Sequence, residues 1–99
     1  MELLVIVKRD CETCQMVAPV LADLQGISDL TLFSQDDPDF PESTGGAQDD
    51  ASLEESWRHK VEIVPTLIRL ENGREITRPE GVDRAYWVRV TGIDTLCKY

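Results

Sequence analysis

The spacing of apolar positions along the chain predicts seven elements. Residues 3–7 (LLVIV) form an unbroken apolar run of strand length, the pattern of a strand covered on both faces. From near Thr13, the residues Cys14, Val17, Ala18, Leu21 and Leu24 recur at helical spacing, and Gly26 follows where a helix would end. Pro19 inside that helix removes a backbone donor and predicts a kink. A second strand is predicted over 30–34. Asp49 or Asp50 is placed to cap a helix running through Leu53, Trp57 and Lys60, with acids early and Arg58, His59 and Lys60 late, as the helix dipole favours. Strands over 66–70 and 75–78 flank Asn72-Gly73, a two-residue hairpin signal. Asp83 then caps a last helix carrying Tyr86, Trp87 and Val90 on one face, with Gly92 beyond it.

The predicted order is βαβαββα. Each β-helix-β segment is long enough for a parallel crossover, so the expectation is an α/β fold with two such crossovers and a hairpin, making a mixed sheet with helices on both faces. Ninety-nine residues suit one compact domain, and no internal repeat or second domain is visible.

Charge changes this picture in one place. The net charge is −9, and residues 10–57 contain no Lys or Arg. Within them, 35–50 (QDDPDFPESTGGAQDD) reads as a long acidic loop between the second strand and second helix. It is expected to be a solvated excursion, with docking of a basic partner as the alternative. The acidic balance argues against nucleic acid or an anionic membrane as the main partner. No apolar run approaches the roughly 20 residues of a membrane-spanning helix, and Glu2 interrupts what would be a secretory signal. The expectation is a soluble, cytoplasmic, monomeric protein.

Three cysteines are too few, and odd in number, for a secreted disulfide framework. Cys11 and Cys14 form a CxxC pair whose spacing, on a first helical turn, allows a disulfide to open and close. Cys11 falls at the helix N-terminus, where free N–H groups and the dipole favour a thiolate, so it is the candidate attacking thiol. Cys14 begins the apolar stripe and is the candidate resolving thiol. Lys8 and Arg9 would assist ionisation of Cys11, and Asp10 and Glu12 would oppose it. The competing readings are two unconnected cysteines or half of a zinc site. Tetrahedral zinc lacks its other ligands, because only Cys97 and His59 remain and neither has ligand spacing. No metal or cofactor is therefore expected beyond the redox-active pair itself. Cys97 reads as a bystander rather than a regulatory thiol, His59 as a capping or solvated residue, and Trp57 and Trp87 as core packing.

The segment Cys11-Glu-Thr-Cys14-Gln-Met-Val-Ala-Pro19 resembles the active-site helix of thioredoxins, and Val64-Pro65-Thr66-Leu67-Ile68 is similar to their cis-proline segment. Gly81, sixteen residues after Pro65, falls where that family has the glycine of its substrate groove. The resemblance covers nearly the whole chain except the acidic loop. It implies a thiol-disulfide oxidoreductase, with Pro65 cis and opposite the CxxC loop. Val64 would offer backbone groups to a substrate peptide lying beside Cys11, and Thr66, Gly81, Glu12 and Thr13 would complete the substrate contacts. The partners implied are a protein or small-molecule disulfide and an electron donor, with reduction as the direction.

The departures are specific. Asp10 replaces the family's Trp before the first cysteine, and Glu12-Thr13 replaces Gly-Pro. The family's buried Asp beneath the second cysteine falls at about Val5, and its partner Lys near Leu30, so deprotonating Cys14 needs water or another base. The leading strand and helix of full-length thioredoxins have no counterpart, making this a short form, and the glutathione segment of glutaredoxins is missing after Arg78. Two further readings stand beside this one. The dithiol would bind a soft metal or sense redox state, or the chain would be the redox domain of a larger protein or complex.

Overall fold

A computed structural model describes residues 2–27 and 29–77. The expectations that fall on Arg78, Gly81, Asp83, Tyr86, Trp87, Val90, Gly92 and Cys97 lie outside the described residues. The elements are β1 (Glu2–Val7), α1 (Glu12–Ile27), β2 (Asp29–Ser34), a 3₁₀ turn (Glu42–Thr44), β3 (Gln48–Asp49), α2 (Glu54–Arg58), β4 (Thr66–Glu71) and β5 (Arg74–Thr77). They build a five-stranded mixed sheet in the order β3-β2-β1-β4-β5.

β1 lies at the centre because it is apolar on both faces. Leu3, Val5 and Val7 pack with Cys14, Val17, Val20, Leu21 and Leu24 of α1, together with Leu32, Phe40 and Leu67. Leu4 and Ile6 point the other way, against Phe33 and Ile68. The helical stripe read from the sequence is thus the face α1 buries. The helix continues through Pro19 and also includes Gly26, one residue beyond the predicted end. Gly26 keeps a helical φ, so it terminates nothing.

The first crossover is parallel, β1 to β2, as expected. The second differs: β4 runs antiparallel to β1, with Thr66 opposite Ile6 and Leu70 opposite Glu2. The cause is the length of α2. Five helical residues advance about 7.5 Å, against about 20 Å for a six-residue strand, so the chain re-enters the sheet at the end it left. That geometry delivers residues 64–66 to the C-terminal end of β1, immediately before Cys11.

The acidic segment is structured, which corrects the expectation of a solvated excursion. Phe40 is 3 % exposed and belongs to the α1-side core. Gln48 and Asp49 pair in parallel with Phe33 and Ser34 at the sheet edge. Asp50, 2 % exposed, accepts from the backbone N–H of Glu55 (2.8 Å) and Ser56 (3.0 Å) and from the Ser56 hydroxyl (2.6 Å). It therefore caps α2 from outside the helix, satisfying donors that have no intrahelical partner.

The helix itself is shorter than predicted and turned differently. It ends in a Schellman arrangement, with Lys60 at φ 56° and Val61 N–H donating to the Ser56 carbonyl at 2.8 Å. Ser56 is the buried residue, held by Asp50 and by the Gln35 side chain at 2.8 Å. Trp57, one position on, is 83 % exposed and Leu53 47 %, so the expectation that Trp57 packs in the core is wrong. Asn72 (φ 53°) and Gly73 (φ 79°) form the expected hairpin turn, whose two positive φ values match a type I′ geometry.

Candidate functional site

Cys11 sits where β1 hands over to α1. Its carbonyl accepts from Gln15 N–H at 3.1 Å, the first bond of the helix, so Cys11 is the N-cap. Its sulfur does what an N-cap side chain does, accepting from Cys14 N–H at 3.2 Å, and it lies 3.3 Å from the Thr13 hydroxyl. Cys11 is half-buried and Cys14 fully buried, and both are free thiols.

The two sulfurs are held in unlike states. Burial pushes the Cys11 thiol up, but hydrogen bonds from the Cys14 thiol, the Thr13 hydroxyl and the N–H groups of both residues outweigh it, and the net pKa is lowered. Cys14 is pushed up to about 12, first by burial and then by its hydrogen bond to Cys11, with Cys11 and Asp36 adding unfavourable charge and a Lys8 backbone bond opposing. Of the two thiols, Cys11 therefore gives up its proton the more readily.

Val64 closes the other side: the Cys11 thiol lies 3.8 Å from the Val64 carbonyl, which accepts from it. The Val64–Pro65 peptide is cis. Pro65 and Thr66 are buried, and the Thr66 hydroxyl donates to the Ile63 carbonyl. Of these three residues only Val64 is partly open to solvent, and Ile63 beside it is 52 % exposed. Glu12 is exposed on the first turn of α1 and Thr13 is half-buried against Cys11. Cys11, Cys14, Thr13 and Val64 are thus brought together.

Two features of the site differ from the expectation or were missed by it. Arg9 does not serve Cys11: its guanidinium binds Asp37 at 2.5 Å and Glu42, and stands 5.3 Å over the Phe40 ring. It ties the acidic segment down instead. Asp36 was not singled out, yet its carboxylate accepts from two consecutive backbone N–H groups, Arg9 (2.8 Å) and Asp10 (3.0 Å), just before Cys11. The Gln15 side chain donates to the Arg9 carbonyl at 2.8 Å from the opposite side. One acid among many in an acidic stretch carries no sequence signal of such a role. Only the parallel pairing of β1 and β2, which sets Ser34 opposite Val7, puts residue 36 beside residues 9 and 10. Val5 is completely buried in the α1-side core with Cys14, so the position the resemblance assigns to an acid is apolar packing. Among the described residues no group of three or more His, Cys, Asp or Glu is arranged to hold a metal ion.

A CxxC pair at the N-terminus of a helix, facing a cis-proline segment across the end of a mixed sheet, defines a protein of the thioredoxin fold. Comparison with solved structures agrees. The chain is similar to thioredoxin 1 from Thermosipho africanus, with a TM-score of 0.65 and 16 % identity over 93 % of this chain and 91 % of that one. It is likewise similar to StoA from Bacillus subtilis (0.65, 14 %, covering 91 % and 81 %) and thioredoxin O2 from Arabidopsis thaliana (0.64, 23 %, covering 92 % and 71 %). No family profile and no curated protein sequence matches the chain. No helix among the described residues is long and apolar enough to cross a membrane.

Proposed function

We propose that this protein is a thiol-disulfide oxidoreductase that reduces protein disulfides, with Cys11 as nucleophile and Cys14 as resolving thiol. One observation carries the reading: a half-exposed sulfur stabilised as thiolate by the first turn of α1, with a fully buried, protonated thiol behind it. The Cys11 thiolate attacks one sulfur of the substrate disulfide, forming a mixed disulfide and releasing the other as a thiolate. Cys14 then loses its proton to solvent and attacks the Cys11 sulfur. This closes the Cys11–Cys14 disulfide and expels the second substrate thiolate, so two electrons pass from the dithiol to the substrate. A substrate chain extended alongside Val64 would bond to its backbone, with Pro65, Thr66, Gly81, Glu12 and Thr13 shaping the surroundings. The redox-active pair is the only cofactor in this reading. A separate donor reduces it again, in the cytoplasm, and the protein works as a monomer.

The test is equilibration of the pair against defined glutathione and dithiothreitol buffers, alongside reduction of insulin disulfides. A Cys11–Cys14 disulfide with a reducing potential, and insulin turnover lost in both Cys11→Ser and Cys14→Ser, is the expected result. Failure of the pair to form a disulfide overturns the reading.

A further inference from the structure

We propose that the acids around Cys11 choose its substrate by charge: the thiol attacks disulfides flanked by positive groups, as in a peptide with Lys or Arg beside its cysteines, in preference to neutral or anionic ones. This selection rests on the thiol-disulfide reading above and adds to it the class of substrate.

Carboxylates frame the nucleophile. Asp10 and Glu12 stand on either side of Cys11 in the chain, and both are exposed. Asp36 is held against the same turn, accepting from Arg9 N–H at 2.8 Å and from Asp10 N–H at 3.0 Å. Across the site, the Val64 carbonyl accepts from the Cys11 thiol at 3.8 Å, and the exposed Glu62 lies two residues before Val64. A disulfide that reaches the half-buried Cys11 sulfur alongside Val64 therefore arrives among acids contributed by three separate parts of the chain.

The cations of the described residues do not cancel this charge. The Arg9 guanidinium binds both Asp37 and Glu42, so that cluster is itself net negative. Arg58 binds Glu54 and Glu55. Arg69, opposite Leu3, and Arg74, opposite Glu71, stand toward the other end of the sheet. Lys8 and Lys60, three residues before Cys11 and four before Val64, are set against the four acids. Charges around a reactive group raise the encounter rate of an opposite charge and lower that of a like one, and salt weakens both effects.

The experiment uses the full chain in a Cys14→Ser, Cys97→Ser background, which leaves Cys11 the sole thiol and isolates the first attack. Cystamine (dication), bis(2-hydroxyethyl) disulfide (neutral) and 3,3′-dithiodipropionate (dianion) are mixed with it, and the mixed disulfide is timed by acid quench and mass spectrometry. Each rate is divided by that of 2-mercaptoethanol thiolate with the same disulfide, which removes leaving-group differences and the charge of the attacking sulfur; ratios within one protein cancel its thiolate fraction. In water, one charge about 8 Å from another changes the rate by about twofold, upward for a cation and downward for an anion. A net excess of two acids then gives a cation-to-anion ratio on the order of tenfold at about 10 mM salt, where the screening length is about 30 Å, and less than about twofold at about 1 M, where it is about 3 Å. Asp10→Asn and Glu12→Gln are each expected to lower the low-salt ratio by about threefold, and Glu71→Gln, at the far end of the sheet, to leave it within about 1.5-fold of the parent. A parent ratio of one or less, a ratio unmoved by salt, or one unmoved in both Asp10→Asn and Glu12→Gln overturns the inference while leaving the proposed function in place. A Cys11 that forms a mixed disulfide with none of the three overturns the proposed function, and the selection with it.

Discussion

At the residue scale, burial acts on both cysteines in the same direction, yet their net shifts are opposite. Cys11 has donors for its thiolate within 3.3 Å, and Cys14 has none that outweigh its desolvation. The linkage follows from those signs. The folded state holds the Cys14 proton more tightly than the unfolded chain does. That contribution to stability is complete below the unfolded thiol value of about 8.5 and is lost as pH rises toward about 12. Cys11, lowered, contributes in the opposite sense, with stability present above the unfolded value and lost as pH falls through the folded one. The urea midpoint of the reduced protein is therefore expected to decline between pH 8.5 and 10.5, and the decline to be shallower in Cys14→Ala. Equal slopes in the two proteins would show that the buried thiol is not held protonated.

At the element scale, the segment between β2 and α2 behaves as part of the core. Phe40 fills space against α1, Arg9 covers its ring, and Asp50 caps α2. Phe40→Ala is expected to cost about 3 kcal/mol, in the range of large-to-small changes at buried aromatic sites. Trp57→Ala, at a position 83 % exposed, is expected to change stability by less than about 0.5 kcal/mol. Urea denaturation of both variants decides the matter: similar losses would return the segment to the solvated loop read from its composition, or Trp57 to the core. The sequence pattern misled here because Leu53 and Trp57 have helical spacing, while burial was assigned by hydrogen bonds to Asp50 that draw Ser56 inward.

At the scale of the whole molecule, the net charge of −9 is unevenly spread, with Arg9 the cation that binds Asp37 and Glu42. Self-repulsion of this kind destabilises a compact state and is screened within about 10 Å at 0.1 M salt. Raising sodium chloride from about 10 mM to about 300 mM is expected to increase the melting temperature by about 4 °C, equivalent to about 1 kcal/mol for a domain of this size. A fall would mean that screening of the Arg9 ion pairs outweighs relief of the repulsion.

The sequence by itself determined the elements whose signals are local. An unbroken apolar run marked β1, and apolar positions at helical spacing marked α1. Asn72-Gly73 marked the hairpin, and the CxxC pair with Val64-Pro65 marked the site, because each depends on neighbours a few residues apart or on a short motif. The tertiary structure decided what depends on distant parts of the chain. The direction of β4, the burial of Phe40 and the capture of Arg9 by Asp37 and Glu42 arise from contacts between distant parts of the chain or from its re-entry at one end of the sheet, and the outward turn of Trp57 from the hold of Asp50 and Gln35 on Ser56. Asp36 belongs with these. A carboxylate acquires its role from the two N–H groups that parallel strand pairing sets before it, and no composition or spacing along the chain records that meeting.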